Sequence, residues 1–169
     1  MHGSDDLYFA YGSNMDSGQM AAFCGDFTVI GPCRLPGFRL AFVRRSPRWH
    51  AGAADIVRAE GCEVWGLLYH VPAAELALLD AKEASGNVLG YRRRAVRVDD
   101  GRGGPWRRAL TYEVISKAPR ELRPHPHYLR LMVDAARRHG LPGTYVARLE
   151  ALETDAAAPS APPDLGGLP

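Results

Sequence analysis

Two short segments of this chain hold residue types that could bind and transform a small molecule. The first is Tyr11-Gly12-Ser13-Asn14, where an apolar run from Leu7 stops at a glycine and apolar residues resume at Met15, Met20, Ala21 and Phe23. That pattern predicts strand, tight turn, helix. At such a turn successive backbone N–H groups lack partners and the helix dipole favours a negative group, so the segment reads as an anion cradle. On the local pattern alone the plainer reading is favoured, a helix cap with Ser13 or Asn14 as acceptor and Gly12 permitting the turn. Neither a GxxxxGK[ST] lysine nor GxGxxG spacing is present, which disfavours a nucleotide phosphate as the anion.

The second segment ends at Glu83. Pro72 opens a predicted helix that runs from Ala73 to about Lys82, with Leu76, Leu79 and Asp80 at helical spacing, and it runs out near Glu83. A carboxylate at the negative end of a helix is poorly placed for stability and well suited to general acid/base work. Against this, the chain has eight glutamates, and a glutamate is most often a solvated surface group. Spacing alone does not choose between these readings.

Other chemistry is weakly supported. His125-Pro126-His127 has a HxH spacing usable by a metal, but the flanking prolines and the lack of a nearby Cys, Asp or Glu cluster favour a loop, and no metal is expected. There is no GxSxG elbow, and none of the three cysteines sits in a nucleophile motif. Tyr8, Tyr11, Tyr91, Tyr112 and Tyr128 recur at the ends of predicted elements, either as core residues with a wet hydroxyl, the default, or as the walls of a small-molecule pocket.

These residues need a scaffold, and the punctuation of the sequence outlines one. Phe27 to Ile30 and Phe38 to Val43 are strand-like runs around a bend at Gly31, Pro32, Pro36 and Gly37. Arg45 to Gly52 reads as a loop. Ala53 to Val57 and Glu63 to Val71 are strand-like around Ala59-Glu60-Gly61, and Tyr91 to Val98 with Trp106 to Ile115 form a hairpin across Asp99 to Gly104. Tyr128, Leu131, Met132 and Ala135 lie on one face of a helix that Gly140 stops, and Thr144 to Leu152 can add another. About seven strands and three helices predict one α+β (mixed α/β) domain in which antiparallel pairing dominates.

Composition sets the outer limits. With 169 residues, 46% hydrophobic, the chain can bury one core, and a formal charge of +2 offers no single-signed field for a polyanion. Only Lys82 and Lys117 are lysines among the 21 basic residues, the other 19 being arginines. Arg92-Arg93-Arg94 and Arg107-Arg108 would point to both faces of their hairpin, so a nucleic-acid stripe is disfavoured. No basic, long-apolar leader opens the chain and no run of about 18 apolar residues occurs, so a soluble cytoplasmic protein without membrane contact is expected. Cysteines without a CxxC pair fit the same reduced compartment. Residues 1–6 and 153–169, the latter rich in alanine, proline and glycine, are expected to be disordered on either side of a 7–152 domain.

Taken in order, the pieces resemble the γ-glutamylcyclotransferase-like superfamily. Tyr11-Gly12-Ser13-Asn14-Met15 resembles its N-terminal signature, Arg48-Trp49-His50-Ala51-Gly52-Ala53-Ala54-Asp55-Ile56 its tryptophan-histidine-glycine segment, and Glu63-Val64-Trp65-Gly66 its next strand. Leu79-Asp80-Ala81-Lys82-Glu83-Ala84 stands where the family carries its catalytic glutamate, followed by Gly90-Tyr91. Pro126-His127-Tyr128 and Gly140-Leu141-Pro142 are similar to its closing helix. The resemblance covers about Leu7 to Leu152.

It implies a small, mostly antiparallel β-barrel flanked by helices, no cofactor and no metal. The implied enzyme acts on a small-molecule γ-glutamyl compound: the α-amine attacks the γ-carbonyl, 5-oxoproline forms and the amine is eliminated. Glu83 would be the acid/base, Tyr11, Gly12, Ser13 and Asn14 would hold the α-carboxylate or carbonyl oxygen, and Tyr91 and Tyr128 would line the pocket. The chain departs from the family at Ala51-Gly52, where paired glycines are usual, and at Ala84 to Leu89. The substrate therefore stays open among γ-glutamyl amino acids, γ-glutamyl amines, glutathione and γ-glutamyl-protected intermediates, and the closing helix leans toward the first. A binding module of the same fold without turnover is the alternative, and the oligomeric state is not legible.

Overall fold

The computed structural model describes residues 7–84 and 90–158. The elements are β1 (Leu7–Ala10), a 3-10 turn (Ser13–Met15), α1 (Ser17–Ala21), β2 (Thr28–Arg45), β3 (Gly52–His70), α2 (Ala73–Ala84), β4 (Tyr91–Val98), β5 (Arg107–Val114), α3 (Pro126–Arg138) and α4 (Gly143–Glu150). The strands form one sheet in the order β2-β3-β1-β5-β4. Pairing is antiparallel except between β1 and β5, where Tyr8 lies opposite Leu110.

The sheet closes on itself through its two marginal strands. Arg34 of β2 bridges Asp99 just beyond β4, with Arg34 N donating to Asp99 O at 2.8 Å and Asp99 N to Arg34 O at 3.2 Å. The Arg34 guanidinium also grips the Asp99 carboxylate, Nε to Oδ1 at 2.7 Å and Nη2 to Oδ2 at 3.3 Å. This bridge ties the two marginal strands at one point and covers part of the edge that an open sheet would expose.

Five strands replace the expected seven because two bends lie inside continuous strands. β2 runs through Gly31, Pro32, Pro36 and Gly37 with register shifts between Val29 and Gly31 and between Pro36 and Phe38. Proline lacks the ladder N–H, but a marginal strand with a bulge tolerates it. Opposite Gly37, β3 makes an excursion over residues 59–62, since Arg58 pairs with Phe38 and Glu63 with Pro36.

The helices start where local chemistry allows. The Pro72 carbonyl accepts from Glu75 N and Leu76 N at the head of α2, and α3 begins with Pro126 behind the His125 cap. The short α1 is capped by Asp16, whose side chain accepts from Gln19 N at 3.0 Å, so neither Ser13 nor Asn14 caps it. The core between sheet and helices contains Phe9, Met15, Met20, Leu67, Leu79, Met132 and Leu149, each at most 2% exposed. Full burial of one such side chain stabilises by roughly 1.5–3 kcal/mol. Residues 153–158 return to the domain, Asp155 N donating to Pro124 O at 2.9 Å. The segments 1–6 and 159–169, expected to be disordered, and most of the unmatched Ala84–Leu89 stretch lie outside the described residues.

Candidate active site

The turn after β1 is held from beneath by Tyr69 of β3, whose hydroxyl donates to the carbonyls of Asn14 at 2.9 Å and Met15 at 3.1 Å. Gly12 is needed here for space: a Cβ would stand 3.0 Å from Tyr128 Oη and 3.3 Å from Ala54 Cβ. The turn therefore sits against α3 and β3 and lines a cavity of about 280 Å³. Its walls include all seven residues singled out above, Tyr11, Gly12, Ser13, Asn14, Glu83, Tyr91 and Tyr128. Tyr8 and Tyr112 join them, so the five recurring tyrosines line the pocket, and four of them, all but the half-buried Tyr91, also belong to the core as the default reading has it.

Asn14 turns its side chain inward and uses every hydrogen-bonding group it has. Nδ2 donates to Tyr8 Oη at 2.9 Å and to Glu83 Oε1 at 3.2 Å, while Oδ1 accepts from Lys82 Nζ. Lys82 Nζ is also 3.6 Å from Glu83 Oε1 and 4.3 Å from the centre of the Phe23 ring. Both contacts to Glu83 land on Oε1, and Oε2 takes no hydrogen bond among the described residues. Burial pulls the Lys82 amine below its ordinary range, opposed by the Glu83 charge.

The phenols are neutral walls. Burial pushes Tyr8 well above its ordinary value, and the Glu83 charge adds to this. Burial does the same to Tyr11 and Tyr91, and lifts Tyr128 to about 12 despite the hydrogen bond from Ala54 N. None ionises near neutral pH. Tyr91 Oη donates to Ala54 O at 2.7 Å and Tyr11 Oη to Tyr112 O at 2.5 Å, so backbone carbonyls orient both rings. Glu83 is the one carboxylate of the described wall, surrounded by side chains that carry no negative charge.

The remaining wall comes from the β2–β3 connection. Ser46 N donates to Ala51 O at 2.8 Å and His50 N to Ser46 O at 2.9 Å, while Trp49 N donates to Ser46 Oγ at 3.1 Å. His50 takes a left-handed backbone angle, φ 52°, to complete this tight loop. Trp49 is thereby packed against His125, His127 and Tyr128 at ring-centre distances of 5.5, 5.7 and 5.5 Å. His125 caps α3, its Nδ1 accepting from His127 N at 2.9 Å, which gives the HxH segment a structural use.

Lys82, Arg44 and Arg48 also line the cavity and were not singled out by sequence reasoning. A signal existed for Lys82. In a chain that otherwise uses arginine, both lysines stand beside shielded acids, the half-buried Lys82 by Glu83 and the exposed Lys117 by the fully buried Asp55. The two arginines fell inside an expected loop, and loop composition does not say which way a guanidinium points.

Comparison with known proteins adds an independent observation. The AIG2-like family matches residues 63–149. The mouse protein named gamma-glutamylcyclotransferase is 32% identical over 156 residues, covering 89% of this chain and 80% of its own length. Its human namesake is 31% identical, covering 87% and 78%. A solved structure titled gamma-glutamyl cyclotransferase superposes with a TM-score of 0.82 at 28% identity, covering 89% of both chains.

Proposed function

The chain belongs to the γ-glutamylcyclotransferase-like superfamily, and from that premise we propose that it is an enzyme releasing 5-oxoproline from a γ-glutamyl compound, with Glu83 as the acid/base. The carrying observation is that Glu83 is the sole carboxylate among the described residues of a tyrosine-walled cavity that the Tyr11–Asn14 turn also lines. Glu83 takes a proton from the substrate's α-ammonium group on Oε2, the oxygen left open by Asn14 and Lys82. The freed amine attacks the γ-carbonyl carbon of the same molecule, forming the ring C–N bond. Because nucleophile and electrophile share one chain, folding the substrate supplies most of the encounter.

Charge then develops on the γ-carbonyl oxygen, and the N–H groups at the start of the 3-10 turn, which lack intrahelical partners, are the donors suited to it. As the γ-carbon to leaving-nitrogen bond breaks, Glu83 returns its proton to that nitrogen, then takes the second proton from the ring nitrogen and passes it to the departing amine. The products are 5-oxoproline and the amine in its protonated form. No protein nucleophile and no redox change enter this balance. Asn14 positions Glu83 against Tyr8, and Tyr91 and Tyr128 form the face on which the glutamyl chain folds.

Glu83→Gln keeps the shape and removes the proton carrier. Release of 5-oxoproline from γ-glutamyl-alanine is expected to fall by at least about 10³-fold, near the upper range for loss of a general base, with the melting temperature within about 2 °C of the parent. Undiminished release would move the acid/base elsewhere. Saturable binding of γ-glutamyl-alanine without turnover by the unaltered protein would favour the binding module.

A further inference from the structure

Four arginines of the described chain are half-buried: Arg34, Arg44, Arg48 and Arg94. Two have the carboxylates that such positions ordinarily require, Arg34 with Asp99 and Glu63, and Arg94 with Glu113. Arg44 and Arg48, the two in the cavity wall, have none among the described residues. Their guanidiniums lie against aromatic rings instead, Arg44 at 5.1 Å from the centre of Tyr91 and Arg48 at 5.6 Å from that of Trp49. Stacking of this kind holds a guanidinium flat while leaving its N–H edge available.

The charges of the wall do not cancel. Lys82 is engaged by Asn14 and Glu83 and balances the latter, so Arg44 and Arg48 are left as an excess of two positive charges. Burial lowers the Arg48 guanidinium below its ordinary range, and the Arg48 charge weighs in turn on Lys82. Both costs are reduced when an anion enters. The glutamyl head of a substrate is neutral as a unit, its α-ammonium balancing its α-carboxylate. The unmatched cations therefore call for negative charge on the part that leaves.

We propose that Arg44 and Arg48 form an anion subsite for the departing amine, selecting γ-glutamyl compounds whose amine carries a carboxylate over those whose amine is neutral. This rests on the cyclotransferase reading and assigns specificity within it. Both residues are carried by β2 and the hydrogen-bonded loop from Ser46 to Ala51, so the subsite is held in place before substrate arrives. Guanidinium edges can pair a planar carboxylate through two parallel bonds, which a lysine at either position would not reproduce.

The test compares γ-glutamyl-alanine with γ-glutamyl-alaninamide, which differ only in that the leaving amine carries a carboxylate or a neutral carboxamide. The unaltered protein is expected to show a kcat/KM at least about tenfold higher for the acid. Arg44→Gln and Arg48→Gln should each erase most of that ratio by lowering kcat/KM for the acid about tenfold more than for the amide, and Arg48→Lys should restore part of it. Calorimetric binding of both compounds to the Glu83→Gln protein reads the same preference without turnover. Equal kcat/KM or affinity for acid and amide in the unaltered wall would overturn the subsite. Equal losses on both compounds in the arginine variants would do so too, moving the guanidiniums to the glutamyl head. Tighter binding of the acid with no 5-oxoproline from either compound would remove the cyclotransferase reading and leave the subsite standing.

Discussion

At the barrel seam Arg34 is held by Asp99 and by Glu63 at 3.0 Å, and the other Glu63 oxygen accepts the Trp65 indole N–H at 2.9 Å. Each charge there meets its opposite, and Asp99 also accepts from Gly101 N at 2.7 Å. In the cavity the pattern reverses: Arg44 and Arg48 meet rings only, and Oε2 of Glu83 has no partner among the described residues. Both regions lie in one barrel and both bury polar atoms. Burying an unmatched charge costs stability that a paired one does not, so the cavity holds a cost that a ligand can relieve and the seam does not.

Two glycines let that comparison be broken one region at a time. At Gly101 of the seam φ is +69° and a Cβ would fall 2.4 Å from Trp65 Cη2; at Gly12 of the cavity φ is −109°, and a Cβ would meet Tyr128 Oη at 3.0 Å and Ala54 Cβ at 3.3 Å. Gly12→Ala should lower kcat/KM for 5-oxoproline release by about 10–100-fold, since displacements below 1 Å in a positioned site are costly, while its melting temperature moves little. Pairing it with Tyr128→Phe, which removes the crowding oxygen, should recover part of the loss. Gly101→Ala should do the opposite, destabilising by about 2–4 kcal/mol from the left-handed backbone and the indole clash together, with the kcat/KM of the folded fraction kept. Parallel effects of the two substitutions on activity and stability would dissolve the distinction.

The sequence shows the scaffold better than the site. Periodicity and punctuation outlined the hairpin of β4 and β5 and the amphipathic face of α3 almost at their observed limits, because alternation and helical spacing are local properties. The same rules broke β2 and β3 into four runs, since Gly31, Pro32, Pro36 and Gly37 in β2 and Ala59-Glu60-Gly61 in β3 normally end strands. Here a bulged, marginal strand absorbs the first four, which depends on the sheet order and not on the residues themselves. Within the site, the turn at Gly12 and the carboxylate at Glu83 stood out by position, and the resemblance joined them across 69 intervening steps of chain. Arg44 and Arg48 did not stand out. Their distinction is the carboxylate they lack, and a missing partner is visible only in three dimensions.

Acid titration sharpens the contrast from the seam's side and involves the smaller effect. The hydrogen bond from Arg34 holds the Asp99 carboxyl below the usual carboxylate range, with burial opposing and the Gly101 amide assisting. Its folded-state value thus lies below its unfolded one, near 3.9. Across that interval the unfolded chain binds the extra proton, so stability rises with pH. The contribution is full above about pH 4 and is lost as pH falls through the folded value. Asp99→Asn should therefore melt a few degrees below the parent at pH 7, and the two melting curves should converge toward pH 2. Some acid sensitivity must survive in the variant. Burial alone would raise Glu113, but hydrogen bonds from Arg94 and Arg92 hold it low as well. Because Asp99 is not among the residues that line the cavity, kcat/KM at pH 7 should stay within about twofold of the parent. A constant gap in melting temperature from pH 7 to pH 2 would mean that Asp99 acts by shape and not by charge, and the seam would then cease to be the paired-charge counterpart of the cavity.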